Sequence, residues 1–116
     1  PRPPTQGQVR SAALDVALGM LGAVLDWPAL ADHADVTTST DAMEGPAVLG
    51  LVALRGGGTA EQIVERMPEE IRDWAARRLA APLFDSADEA LRRFRAFARS
   101  ARAQQARRRV ASPEAA

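Results

Sequence analysis

The chain has 116 residues, one histidine, no cysteine and a formal net charge of zero, and all of its basic residues are arginines. That length allows one domain with a real core. The missing cysteines exclude disulfides, thiolate nucleophiles and cysteine metal sites, and no apolar run approaches the roughly eighteen residues needed to cross a bilayer, so no membrane partner is expected.

The zero balance hides an asymmetry. Residues 1–91 hold seven arginines against fourteen acids, a balance of −7, and residues 92–116 hold eight arginines against Glu114 alone, a balance of +7. An acidic body with a basic end points to an oriented electrostatic partner. Abundant Ala, Leu and Arg, with no tyrosine, favours helices.

Residues 1–7 read as a flexible linker. Without a methionine or an apolar signal region, this start is expected to be a linker cut from a longer protein, and the absence of cysteine fits the cytoplasm. From about Gln8 to Leu25 a helix is predicted, because Val9, Ala13, Val16, Ala17, Met20, Leu21 and Val24 recur at helical spacing. Gly19 and Gly22 would let a neighbour approach closely. Asp26-Trp27-Pro28 breaks it, and a short helix over Pro28–His33 follows. Residues 34–40 read as a polar loop.

A helix is predicted over Pro46–Leu54, with Val48, Leu49, Val52 and Ala53 as its apolar face. Gly56-Gly57-Gly58 ends it. Thr59 and Gln62 form a capping-box pattern that opens a helix over Ala60–Met67. After Pro68, Glu69 and Glu70 suit a helix N-terminus, and the next helix carries Ile71, Trp74, Ala75 and Leu79 toward Pro82. Ser86 and Glu89 make a second capping pattern. It launches the longest helix, Ala87–Val110, with Ala87, Leu91, Phe94, Phe97, Ala98 and Ala101 on its docking face. Past Ala101 the stripe thins, so the helix is expected to project beyond its core. No segment alternates at period two for long, and the fold expected is an all-α bundle of five or six helices with a long C-terminal helix over residues 8–110, followed by a disordered tail, 111–116.

Candidate chemistry is sparse. Gly56–Thr59 invites a phosphate-loop reading, but no lysine exists, no strand precedes it and the P-loop spacing is missing, so a helix C-cap followed by an N-cap is the better account. His33 beside Asp32 and Asp35 makes a weak ligand set for zinc, and a solvated imidazole suiting a helix C-terminus is the simpler reading. Glu65, Glu69, Glu70 and Asp73 lie near Arg66, Arg72, Arg77 and Arg78, so dipole complementation and surface ion pairs account for them. No nucleophile–base–orienter set can be assembled. The expectations are no enzyme activity, no metal, no cofactor and no small-molecule ligand.

The candidate partner-binding residues are Arg95, Arg99, Arg102, Arg107, Arg108 and Arg109. Arg107–Arg109 also suit the negative end of the helix dipole. With no aromatic residue after Phe97, any weak DNA contact by this helix would be to phosphates. Reversing the charge of Arg102 and Arg107 is expected to weaken a partner contact and leave the fold intact. Trp27 and Trp74 are expected either in the core or as partner anchors in a groove.

The order of these pieces resembles the C-terminal helicase-binding domain of bacterial DNA primase, which is similar to the N-terminal domain of the helicase it contacts. The resemblance covers roughly residues 13–110. It runs through the apolar helix into a Pro-x-Leu break (Ala17–Leu30), the apolar helix within Gly45–Leu54, Thr59-Ala60-Glu61-Gln62-Ile63-Val64-Glu65, the helix over Ile71–Ala81 and the long helix over Ala87–Arg109. It implies a non-catalytic domain that docks a primase on the replicative DNA helicase. The family's terminal helical hairpin has no counterpart after Val110, and the expectation is that it is trimmed or naturally lacking. Two alternatives stand beside this reading: a nucleic-acid-binding helical module using the arginine-rich helix, and the N-terminal domain of a replicative helicase.

Overall fold

A computed structural model describes residues 12–111. The linker expected at 1–7, the helix start expected at 8–11 and the tail past Ala111 lie outside the described residues. Six α-helices follow in order, with no strand among the described residues: α1 Ala12–Asp26, α2 Ala34–Thr37, α3 Pro46–Arg55, α4 Ala60–Glu65, α5 Glu69–Ala80 and α6 Ala87–Ala111. Two 3-10 turns, Pro28–Asp32 and Thr40–Ala42, flank α2.

Helix α1 is the axis of the bundle. The sequence suggests a one-sided stripe, yet Ala17, Leu18 and every residue from Met20 to Leu25 are buried. The reason is that α3, α5 and α6 all pack on it, and a helix apolar on all sides finds its minimum inside such a cage. The two glycines act as expected. A Cβ on Gly19 would lie 2.7 Å from the Phe97 ring, and one on Gly22 would run into the Arg78 guanidinium. α6 docks on α1 through Ala90, Phe94, Ala98 and Ala101, all buried. Burial of Phe94 alone stabilises the fold by roughly 1.5–3 kcal/mol.

Three local expectations need correction. Residues 34–40 are not a plain loop. α2 forms there because Val36 is fully buried and the Nδ1 of His33 accepts the Asp35 N–H at 3.0 Å. His33 therefore ends the Pro28–Asp32 turn, its backbone N–H donating to the Leu30 carbonyl, and at the same time caps the N-terminus of α2 with its side chain. In α3 the buried face is Ala47, Gly50, Leu51, Ala53 and Leu54, while Leu49 and Val52 stand 56% and 60% exposed. Gly50 sets this rotation, because the Leu21 side chain occupies the space where a Cβ would sit.

The turn after α3 is a helix C-cap followed by an N-cap. Gly57 and Gly58 take φ of 72° and 102°, which L side chains rarely adopt. Thr59 and Gln62 then close a reciprocal capping box at 3.1 and 2.9 Å. Arg66 reaches back to the carbonyls of Ala53, at 2.8 Å, and Gly57. Arg72 serves the carbonyls of Met67 and Glu65 at 2.9 and 3.1 Å. These guanidinium groups satisfy chain ends, and among the described residues the acids Glu65, Glu69, Glu70 and Asp73 enter no ion pair. The surface pairs expected there do not form.

Candidate partner-binding face

The long helix is positioned from its start. Ser86 Oγ accepts the Glu89 N–H at 3.1 Å, and the Glu89 carboxylate accepts from Asp85 N–H at 3.1 Å. The loop before it is pinned by Asp26, whose Oδ2 accepts the N–H groups of Leu83 and Phe84 at 2.9 and 3.0 Å. Trp27 Nε1 donates to the Phe84 carbonyl at 3.0 Å. That bond settles the role of Trp27 as a half-buried strut. Trp74, also half-buried, lines a shallow cleft of about 280 Å³ with Arg77, Arg78, Ala81 and Leu83.

The six candidate arginines divide into two groups. Arg95 Nε meets Asp35 Oδ2 at 2.5 Å. Arg102 Nη2 donates to Thr38 O and Asp41 Oδ1 at 3.1 and 3.2 Å. Arg108 makes a two-pronged pair with Glu44, one arm at 3.1 Å. Gln105 Nε2 adds bonds to Ala42 O and Asp41 O at 3.4 and 3.5 Å. Together these side chains suture α6 along residues 35–44. The helix does not project free of the fold after Ala101. Apolar spacing missed this because the C-terminal half is held by polar side chains on an acidic segment distant in sequence.

Arg99, Arg107 and Arg109 have no partner among the described residues, and all three are exposed. Arg99 borders a cleft of about 290 Å³ between α2 and α6, lined also by Asp35, Ser39, Arg95 and Arg102. The pairs Arg95–Asp35 and Arg102–Asp41 are substantially exposed, and each contributes at most about 1 kcal/mol. Their larger consequence is geometric: they hold α6 against residues 35–44, while the other three guanidinium groups stay exposed.

The suture bears on the titration of Glu44. The hydrogen bond from Arg108 holds its carboxyl below the ordinary 4.5, aided by the charge of Arg108 and opposed by slight burial. The Arg108 guanidinium is correspondingly raised by its bond to Glu44. No group of three or more His, Asp or Glu side chains among the described residues is placed to hold a metal ion. No described helix is long and apolar enough to cross a membrane. Compared with protein-family models, with curated proteins and with solved structures, the chain finds no match.

Proposed function

We propose that this chain is a non-catalytic docking domain of the bacterial DNA primase type, which tethers a cytoplasmic primase to the replicative helicase and couples primer synthesis to the fork. The observation that carries the reading is the division of roles on α6. Arg95, Arg102 and Arg108 hold the helix to the chain's own acids, while Arg99, Arg107 and Arg109 stay exposed and unpaired among the described residues. A firmly mounted helix with unengaged guanidinium forks suits a carboxylate-bearing protein surface. The order of elements in the sequence is what favours a primase domain over other helical adaptors.

In this mechanism the basic helix steers encounter, and apolar contacts slow dissociation. A hexameric helicase offers several equivalent sites, so weak docking at one of them is strengthened by the others. His33, the one imidazole, is engaged as a helix cap, which leaves it unsuited to act as a general base and supports the non-catalytic reading.

The test is titration of the chain against a replicative helicase hexamer and, separately, against single-stranded and duplex DNA at two salt concentrations. Arg99→Glu, Arg107→Glu and Arg109→Glu together should weaken saturable helicase binding without unfolding the chain. Arg102 is not a suitable position, because it holds Thr38 and Asp41. Tight DNA binding that falls steeply with salt, without helicase binding, would replace this reading with a phosphate-contacting rod. Failure to bind either would overturn docking by these residues.

A further inference from the structure

A second surface stands on the acidic part of the fold. Helices α4 and α5 pack together and border an open groove of about 500 Å³. Its floor is apolar, from Val64, Ala76, Leu79 and Ala80, and its rim carries Glu61 and Glu65. Val64 and Leu79 are only partly buried. Neither glutamate side chain has an ion-pair partner among the described residues, and Arg72, the nearby guanidinium, is committed to the backbone carbonyls of Met67 and Glu65. The groove therefore combines an uncovered apolar floor with two rim carboxylates that enter no ion pair among the described residues.

The end of α6 has the complementary chemistry. Ala103, Ala106 and Val110 follow one another at helical spacing on an exposed face, with Val110 81% exposed. Arg107 and Arg109 flank that face and have no partner among the described residues. The two surfaces cannot meet within one chain, because Gln105 and Arg108 tie the end of α6 to Ala42 and Glu44, on the side where it packs against α1 and the Thr40–Ala42 turn.

We propose that the α4–α5 groove receives the C-terminal end of α6 from a second copy of this chain, with Val110 on the apolar floor and Arg107 and Arg109 on the Glu61–Glu65 rim. A small-residue helix face seated in an apolar groove with charged flanks is a common helix-in-groove arrangement. The contact is heterologous, since groove and helix end are different patches, so a pair leaves one groove and one helix end free for further copies. The charge asymmetry of the chain, −7 in residues 1–91 and +7 in residues 92–116, then becomes a head-to-tail complementarity. The proposal draws on the same exposed arginines as helicase docking but does not depend on the helicase reading.

Sedimentation of the full chain, from about 10 μM to about 1 mM at low and high salt, tests it. Concentration-dependent association that weakens with salt is expected. Glu61→Arg with Glu65→Arg should reduce association about tenfold or more, as should Arg107→Glu with Arg109→Glu. Mixing the two variants should restore it, because the acidic helix end of one then meets the basic groove of the other. All four positions are exposed, so circular dichroism should be unchanged. A chain that stays monomeric throughout, association indifferent to either pair, or a mixture without rescue would overturn the proposal. The groove pair leaves the α6 arginines intact, so loss of self-association with helicase binding retained separates the two interfaces.

Discussion

The Arg78 guanidinium is held between Asp26 and Phe84: Nε and Nη2 donate to the carboxylate at 2.7 and 3.0 Å, and Cζ lies 5.1 Å from the ring centroid. The side chains of Arg78 and Asp26 are 10% and 0% exposed, and the groups lie 52 residues apart in sequence. Gly22 makes the room, since any Cβ there would strike the guanidinium. The pair joins the end of α1 to α5, and through the N–H groups of Leu83 and Phe84 it also fixes where α6 begins.

Asp26→Ala should therefore be the costliest single change in the loop region. It strands a buried guanidinium and two backbone N–H groups at once, and a loss of about 3–5 kcal/mol is expected. Arg78→Met should cost less, because Leu83 and Phe84 still donate to the carboxylate. Urea unfolding of both variants checks the order; an equal or reversed ranking would refute the pinning role of Asp26.

Gly19→Ala sets helix propensity against packing. Alanine favours the helix by about 1 kcal/mol, but the Phe97 ring occupies the new methyl's place, and overpacking costs about 1–3 kcal/mol. A net loss of stability is expected in the native chain. In a Phe97→Ala background the same substitution should become stabilising. A double-mutant cycle with no coupling would show that α6 can shift away from α1 without cost.

Acid should loosen the end of α6. Glu44 has a folded-state pKa below its unfolded value, so its contribution is fully present above the unfolded value and is lost as pH falls through the lowered folded one. Protection of the amides of residues 105–109, measured against their intrinsic exchange at each pH, should thus fall below the ordinary 4.5 of a glutamate. Glu44→Gln should show fast exchange at neutral pH already, with no such acid step. An identical acid step in both proteins would assign it elsewhere.

Thr59→Ala removes the hydroxyl that accepts the Gln62 N–H and leaves Gln62 alone in the box. A loss of about 1 kcal/mol is expected, read as a shift of the urea midpoint without a change in slope. Thr59→Ser should restore most of it. A neutral alanine variant would mean that solvent replaces the cap.

The sequence by itself determined most of the local structure. Helical periodicity, Pro28, Pro46 and Pro68 at breaks, the triple glycine and the Thr59–Gln62 box set the helix order and most boundaries to within a residue or two, because caps and breakers act over three or four residues. The close approaches at Gly19 and Gly22 were legible too, though not the groups that fill them. Tertiary structure alone decided the rest. Which face of α3 is buried depended on Leu21 entering the space at Gly50. α2 formed because Val36 found a core and His33 an N–H to accept. The fate of each arginine turned on contacts about 60 residues away: Asp35, Asp41 and Glu44 claimed Arg95, Arg102 and Arg108, and Arg99, Arg107 and Arg109 were left exposed without a partner among the described residues. Charge composition marks a basic helix, but only the fold selects which of its charges are already spent.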